Sequence, residues 1–376
     1  TSVRRIPERD QEGIFDRIIY LSQEEKEMSY AYVGCRTTKE RNARGKGLKV
    51  FEINDKTGDW NLIQCLKTEE ENPSYQALDN EGNFLYSVHG DKTKVSSYKI
   101  LEDGTLSPLN MIEIGGKNPV FITADRTNRF LVVAALQGGA VYVIKRNEDG
   151  SLGEIVSETH LPGKKEGTVS FAHQCIWDQT KTYLFVVTQG RIQGYGQVLV
   201  YRFDAENGTL TETDCFRSRE YDEPRHIAIH PNNRYAYLIN EKGNKMTYFG
   251  FDAENGKLHA RQNLPTLPET YTGEGQASAS LLDKNGEILI GSNRIHESIV
   301  LYRIDQETGY MKELGYYPAM GLTPRFITFN PDYSRFYMAN EDSDTIIEMK
   351  LDSEQGRMEY TGRVIAAESP VCITFR

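Results

Sequence analysis

The sequence predicts an all-β fold, a seven-bladed β-propeller of four-stranded blades with its ring closed by pairing of the N- and C-terminal strands. Three observations carry this. One hairpin plan recurs along the chain, its proline marks keep a steady spacing, and the repeat is split between the two ends. Four strands per roughly 45 residues is the signature of a propeller blade.

The elements follow in order. MSYAYVGCR (28–36) has the pattern of the second strand of a blade. NPSYQALDNEGNFLYSV (72–88), NPVFITADRTNRFLVVA (118–134), FAHQCIWDQTKTYLFVV (171–187), EPRHIAIHPNNRYAYLI (223–239), ASASLLDKNGEILIGS (277–292) and TPRFITFNPDYSRFYMA (323–339) share one plan. Each is a short alternating strand, a turn rich in Asp, Asn, Gly or Pro, and a strand rich in Tyr, Phe and Val, which are hairpin signals. A third alternating run follows most of them, such as AVYVIKR or SIVLYRID. A turn such as DAENGTL then leads to a weaker fourth strand. Pro73 and Pro119, and again Pro324 and Pro370, stand 46 residues apart. The last mark opens ESPVCITFR, where the chain stops after one strand. Pairing 370–375 with 30–35 completes a seventh blade and removes free sheet edges, which template aggregation. No Pro/Gly/Ser-rich linker interrupts the period, so residues 29–376 are expected to form one domain. Residues 1–28 form an N-terminal extension, in which 8–28 are expected to hold a turn or two of helix outside the ring.

Bulk properties exclude several classes. The net charge of −10 argues against nucleic acid, whose partners are basic. The basic stretch KERNARGKG (39–47) reads as a solvated loop. No apolar run approaches the roughly 20 residues of a membrane span, and TSVRRIPERDQEGIFDRIIYL contains no secretory apolar region. The five cysteines are odd in number and form no CxxC, which points to a reducing cytoplasm. A homo-oligomer is left open.

In a radial repeat, equivalent positions ring the central axis. One slot follows the proline mark, at the mouth of the innermost strand: Ser74, Val120, His173, Arg225, Ser278, Arg325 and Val371. The second closes the next strand: Gly90, Leu136, Gln189, Glu241, Arg294, Glu341 and Arg36. Polar and charged residues gather in blades three to six, with Arg36 from the seventh. Arg and Glu from neighbouring blades can simply pair and staple the ring, Arg325 with Glu341 above all. A cationic arc with an acid and a histidine beside it better suits a pocket for a small anion.

The other histidines carry less. His226 and His230 lie about 13 Å apart on a strand, too far to share one zinc. His230 falls in a turn, and His226 alternates away from Arg225 and reads as structural. His296 follows Arg294 closely enough to line the rim. GRIQGYG (190–196) is rich in glycine but opens no helix, a weak phosphate signal. No metal site and no cofactor is predicted.

PRHIAIHPNNRYAYLINE, the NR of IGSNRIHESIVLYRID, NPDYSRFYMANEDSDTI and SPVCITF resemble the lactonase-type seven-bladed propellers over residues 29–376. That family includes the propeller form of 6-phosphogluconolactonase and the fungal 3-carboxy-cis,cis-muconate lactonizing enzyme. The resemblance implies a catalytic set of His173, Arg225, Glu241 and Arg294. Arg36, Gln189, Arg325 and Glu341 occupy the remaining slots as candidate substrate-binding residues. Phe171 stands where many members have a histidine, ASASLL lacks their acid and imidazole, and Glu341 replaces a common glutamine.

The resemblance implies a small anionic substrate, a lactone, sugar acid or dicarboxylate, and hydrolysis of a lactone of an anionic sugar acid, with two alternatives: muconate-type cycloisomerisation, and anion binding without turnover. In the hydrolytic reading Arg225 and Arg294 stabilise the oxyanion and Glu241 deprotonates water. His173, expected to titrate near neutrality, passes a proton to the leaving alkoxide.

Overall fold

The structure, a computed structural model, describes residues 28–376. Its strands form seven four-stranded antiparallel sheets. Six are continuous in sequence and run from an inner to an outer strand, with inner strands Pro73–Leu78, Pro119–Ala124, Phe171–Trp177, Pro224–Ile229, Gln276–Leu282 and Pro324–Phe329. The seventh combines Pro370–Phe375 with Met28–Cys35, Leu48–Asn54 and Trp60–Leu66. Ala31 pairs with Phe375 and Val33 with Ile373, so the ring closes between the two ends as expected. Met28 already belongs to a strand; the rest of the anticipated extension and its helical turns lies outside the described residues. Among the described residues, helix is confined to the 3-10 turns Lys39–Arg41 and Glu341–Ser343. None is long and apolar enough to cross a membrane.

Period-two alternation presents apolar side chains on both faces of each sheet, and each face packs on a neighbouring blade. A separate buried cluster fills every interface of the ring. Tyr32, Leu48 and Val50 of blade seven, for example, meet Leu85, Tyr98 and Leu106 of blade one. A repeated tyrosine adds direction to this packing. Tyr32, Tyr86 and Tyr237 donate their hydroxyls across an interface to the carbonyls of Gly104 (3.0 Å), Gly150 (3.0 Å) and Gly309 (2.9 Å). Gly104 has φ 80°, and a Cβ there would lie 2.2 Å from the Tyr30 ring, so the turn requires glycine.

The hairpin turns use aspartate. Asp79 accepts the amides of Asn83 (2.7 Å) and Phe84 (2.9 Å), and Asp178 accepts those of Thr182 (2.7 Å) and Tyr183 (2.8 Å). Each carboxylate satisfies turn donors that no strand partner reaches.

One irregularity recurs in every blade and sets up the site. The inner strand carries an extra residue against its partner near its first turn, and that bulge falls on the first slot. Pro73 pairs with His89 and Tyr75 with Val88, which leaves Ser74 unpaired. The same shift falls at Val120, His173, Arg225, Arg325 and Val371, and at Ser278–Ala279. Bulges re-aim side chains and break strict alternation.

Candidate active site

Because neighbouring strands are antiparallel, the start of each inner strand and the end of the second strand lie at the same end of the blade. The two slots therefore converge around one end of the axis, where a cavity of about 330 Å³ opens. Of the eight candidate residues, His173, Arg225, Glu241, Arg294, Arg36 and Arg325 line it. Gln189 and Glu341 stand behind the lining: Gln189 Nε2 donates to Glu241 Oε2 (2.9 Å), and Glu341 Oε2 accepts from Arg325 Nη1 (3.2 Å). The expected Arg325–Glu341 ion pair is thus formed, and its arginine still faces the cavity.

Glu241 is the electrostatic centre. Its Oε2 lies 3.3 Å from Arg225 Nε and 3.3 Å from Arg294 Nη2. Burial pushes its carboxyl up, but Arg294, Arg225 and the Gln189 amide outweigh burial and hold it below its ordinary value. Arg225 Nη1 donates to Ser278 O (2.6 Å), and Arg294 Nη2 to Ala277 O (3.1 Å). Backbone carbonyls of blade five thus fix both guanidinium groups. Burial, then repulsion from Arg294 and Arg325, drives Arg225 well below the usual arginine range. Burial and Arg325 bring Arg36 down to about 10.

Among the described residues, six arginines line the cavity: these four with Arg41 and Arg191. Three carboxylates answer them. Asp91 takes Arg36 (3.3 Å) and Arg41 Nε (2.8 Å), Glu241 takes Arg225 and Arg294, and Glu341 takes Arg325. The Nε atoms of Arg36, Arg225 and Arg294, Ser74 Oγ and His173 Nδ1 are buried without a hydrogen-bond partner. Arg225 Nε is within ion-pair range of Glu241 but off the hydrogen-bond direction. Three unsatisfied guanidinium Nε donors in an arginine-rich cavity are what an anion would satisfy.

Three expectations need correction. His173 does not titrate near neutrality: burial first, then Arg225 and His226, push its imidazole well below the ordinary histidine value, so it is neutral. His226 is more than a structural residue, because it lines the same cavity, with its ring 5.2 Å from that of His173 and its Nε2 3.4 Å from Arg225 Nη1. The alternation argument failed at the bulge, where adjacent residues share the cavity: Ser74 with Tyr75, Arg225 with His226, Arg325 with Phe326. The 39–47 stretch is a loop, but not merely a solvated one. Arg41 binds Asp91 at the cavity wall, and Arg44 Nε binds Asp344 (2.7 Å) in blade six.

The remaining histidines lie elsewhere. His230 holds its turn through Gly286 O (3.0 Å) and the Asn232 amide (3.1 Å). His296 is not in the lining and instead contacts Ser298 Oγ (2.7 Å) and the Tyr271 ring. Among the described residues, no three His, Cys, Asp or Glu side chains converge as a metal-ligand set. Sequence reasoning also missed Arg191. Its signal was present, an arginine two residues after the second-slot Gln189, within the glycine-rich GRIQGYG.

Comparison with known proteins matches this architecture. Residues 30–375 match the family described as lactonase, 7-bladed beta-propeller. The chain is 27% identical over 310 residues to a 6-phosphogluconolactonase of Bacillus subtilis, which covers 81% of this chain and 87% of the relative. It is 28% identical over 348 residues to a 6-phosphogluconolactonase of Formosa agariphila, covering 87% and 94%. The periplasmic gluconolactonase of Pseudomonas aeruginosa superposes with a TM-score of 0.82 at 23% identity, over 93% of this chain and 99% of that one, and shows the same fold. With one family matched from the first described strand to the last, the chain belongs to the lactonase family of seven-bladed β-propellers.

Proposed function

We propose that the chain hydrolyses a lactone of an anionic sugar acid in this axial cavity. The observation that carries the reading is a buried, ionised Glu241 set between two guanidinium groups whose Nε donors lack partners. The lactonases among its relatives support it.

The chemistry follows from the groups present. Water attacks the lactone carbonyl carbon while Glu241 takes its proton, and the carbonyl oxygen becomes an oxyanion. Arg225 and Arg294, anchored by Ser278 O and Ala277 O, stabilise that charge without reorganising. The ring C–O bond then breaks, the proton on Glu241 passes to the departing ring oxygen, and a hydroxy acid is left. Neutral His173 serves as a hydrogen-bonding wall group rather than the proton shuttle expected from sequence.

The same electrostatics disfavour the cyclising alternative. Protonating carbon needs an acid, yet Glu241 is held ionised and His173 neutral. The test is a panel of 6-phosphogluconolactone, glucono-δ-lactone and 3-carboxymuconate followed by NMR against the uncatalysed background. The phosphorylated lactone should open fastest. Cyclisation of the muconate with no lactone opened above background would overturn the reading.

A further inference from the structure

We infer that Arg191 selects an anionic substituent on the lactone, and that the 190–196 loop holds it at the cavity mouth for that purpose. This rests on the hydrolytic reading and extends it to specificity. Each of the other arginines lining the cavity reaches a carboxylate of Asp91, Glu241 or Glu341. Arg191 instead donates to a neutral amide, through Nε (3.1 Å) and Nη2 (2.9 Å) to Gln189 Oε1. Its guanidinium carbon lies 5.2 Å over the Phe171 ring.

The backbone is bent to place it there. Arg191 and Ile192 have φ 44° and 72°, the left-handed region that β-branched residues avoid. Ile192 is 70% exposed, so packing does not repay that conformation. Glu223, from the entry to blade four, holds the bend by accepting the amides of Gly190 (2.9 Å) and Arg191 (2.8 Å). Strain that fixes a charged side chain over a cavity is the kind stored at functional positions.

The geometry also sets the direction. Gln189 accepts from Arg191 at one end of its amide and donates to Glu241 Oε2 (2.9 Å) at the other. Arg191 therefore stands one side-chain amide away from the proposed base. A lactone with its carbonyl at Glu241 extends its far substituent toward Arg191. A phosphate or carboxylate there displaces the neutral amide, because charge-assisted bonds to a guanidinium are roughly twice as strong.

Arg191→Gln and Arg191→Lys test this, with melting temperatures as a check of folding. The measurements are KM and kcat for 6-phosphogluconolactone, and the Kd of its product 6-phosphogluconate by calorimetry. Arg191→Gln should raise KM and Kd about tenfold or more with kcat within about threefold. Arg191→Lys should recover only part of the loss, since a point charge cannot replace the fork. Unchanged KM and Kd would overturn the assignment. So would a fall in kcat alone, which would make Arg191 a support for Gln189 and Glu241. If the wild-type protein opens no lactone, the hydrolytic reading fails separately. The product-binding comparison then still decides Arg191, with equal binding by Arg191→Gln overturning it.

Discussion

Arg225 shows how several small constraints place one guanidinium group at the cavity. A bulge turns it toward the axis, Ser278 O and His226 Nε2 take its Nη1, and Glu241 lies beside its Nε. With Nη1 donating, His226 must present a bare Nε2, which its neutral state allows: burial, then Arg225, keeps its imidazole well below the ordinary range. His226 is therefore a positioning residue for Arg225. Replacing it with leucine, which fills the space but accepts nothing, should lower kcat/KM about tenfold, whereas glutamine, with its carbonyl acceptor, should recover most of the activity. Equal losses in the two variants would show that His226 acts by packing alone. Nothing in PRHIAIHP marks this role, since the alternation read from the sequence places His226 on the opposite face from Arg225 and only the bulge cancels that.

At the scale of the element, the bulge repeated in all seven inner strands explains why the first slot was legible. A fixed insertion near one strand position preserves the phase of the repeat, so counting from the proline mark, or from Ala172 and Ala277 that replace it in blades three and five, finds the same place in every blade. Arg191 was not legible that way, because the 190–196 connection is longer than its counterparts at 90–93, 136–139, 241–244, 295–297 and 341–344, so its residues hold no fixed place in the repeat. The tyrosine bridges between blades were visible only as aromatic richness; their acceptors are distant turn carbonyls, Gly104 lying 72 residues beyond Tyr32. Tyr32→Phe and Tyr237→Phe should each cost about 0.5–1.5 kcal/mol in urea unfolding, the net value of a buried hydrogen bond, and Tyr86→Phe should cost more, because its hydroxyl also accepts from Arg146 Nε (2.8 Å). A wild-type stability in all three would mean that the clusters alone hold the blades in place.

For the whole molecule, the ring brings the arginines of five blades to one axis, and it also buries imidazoles. His89, His173, His226 and His230 are all lowered, chiefly by burial. The unfolded chain binds protons on these groups below about pH 6.5, while the folded chain resists them. Their contribution to stability is therefore full above that pH and is lost as pH falls toward the lower folded values. Unfolding free energy should drop between pH 7.5 and 5.5 by up to about 1.4 kcal/mol per histidine. Equal stability at the two pH values would contradict this. Sequence spacing located His173 but held no information on its protonation, which depends on how closely the seven sheets pack.

In the proposed reaction Glu241, kept ionised by Arg225 and Arg294, activates water beside an anionic lactone. The most direct measurement is kcat for 6-phosphogluconolactone in wild type and Glu241→Gln, with the Kd of 6-phosphogluconate determined in parallel. The expected result is a fall in kcat of about 10²–10⁴ with product binding retained, since the amide keeps the shape and loses the base. A glutamine variant that turns over at the wild-type rate would contradict the account.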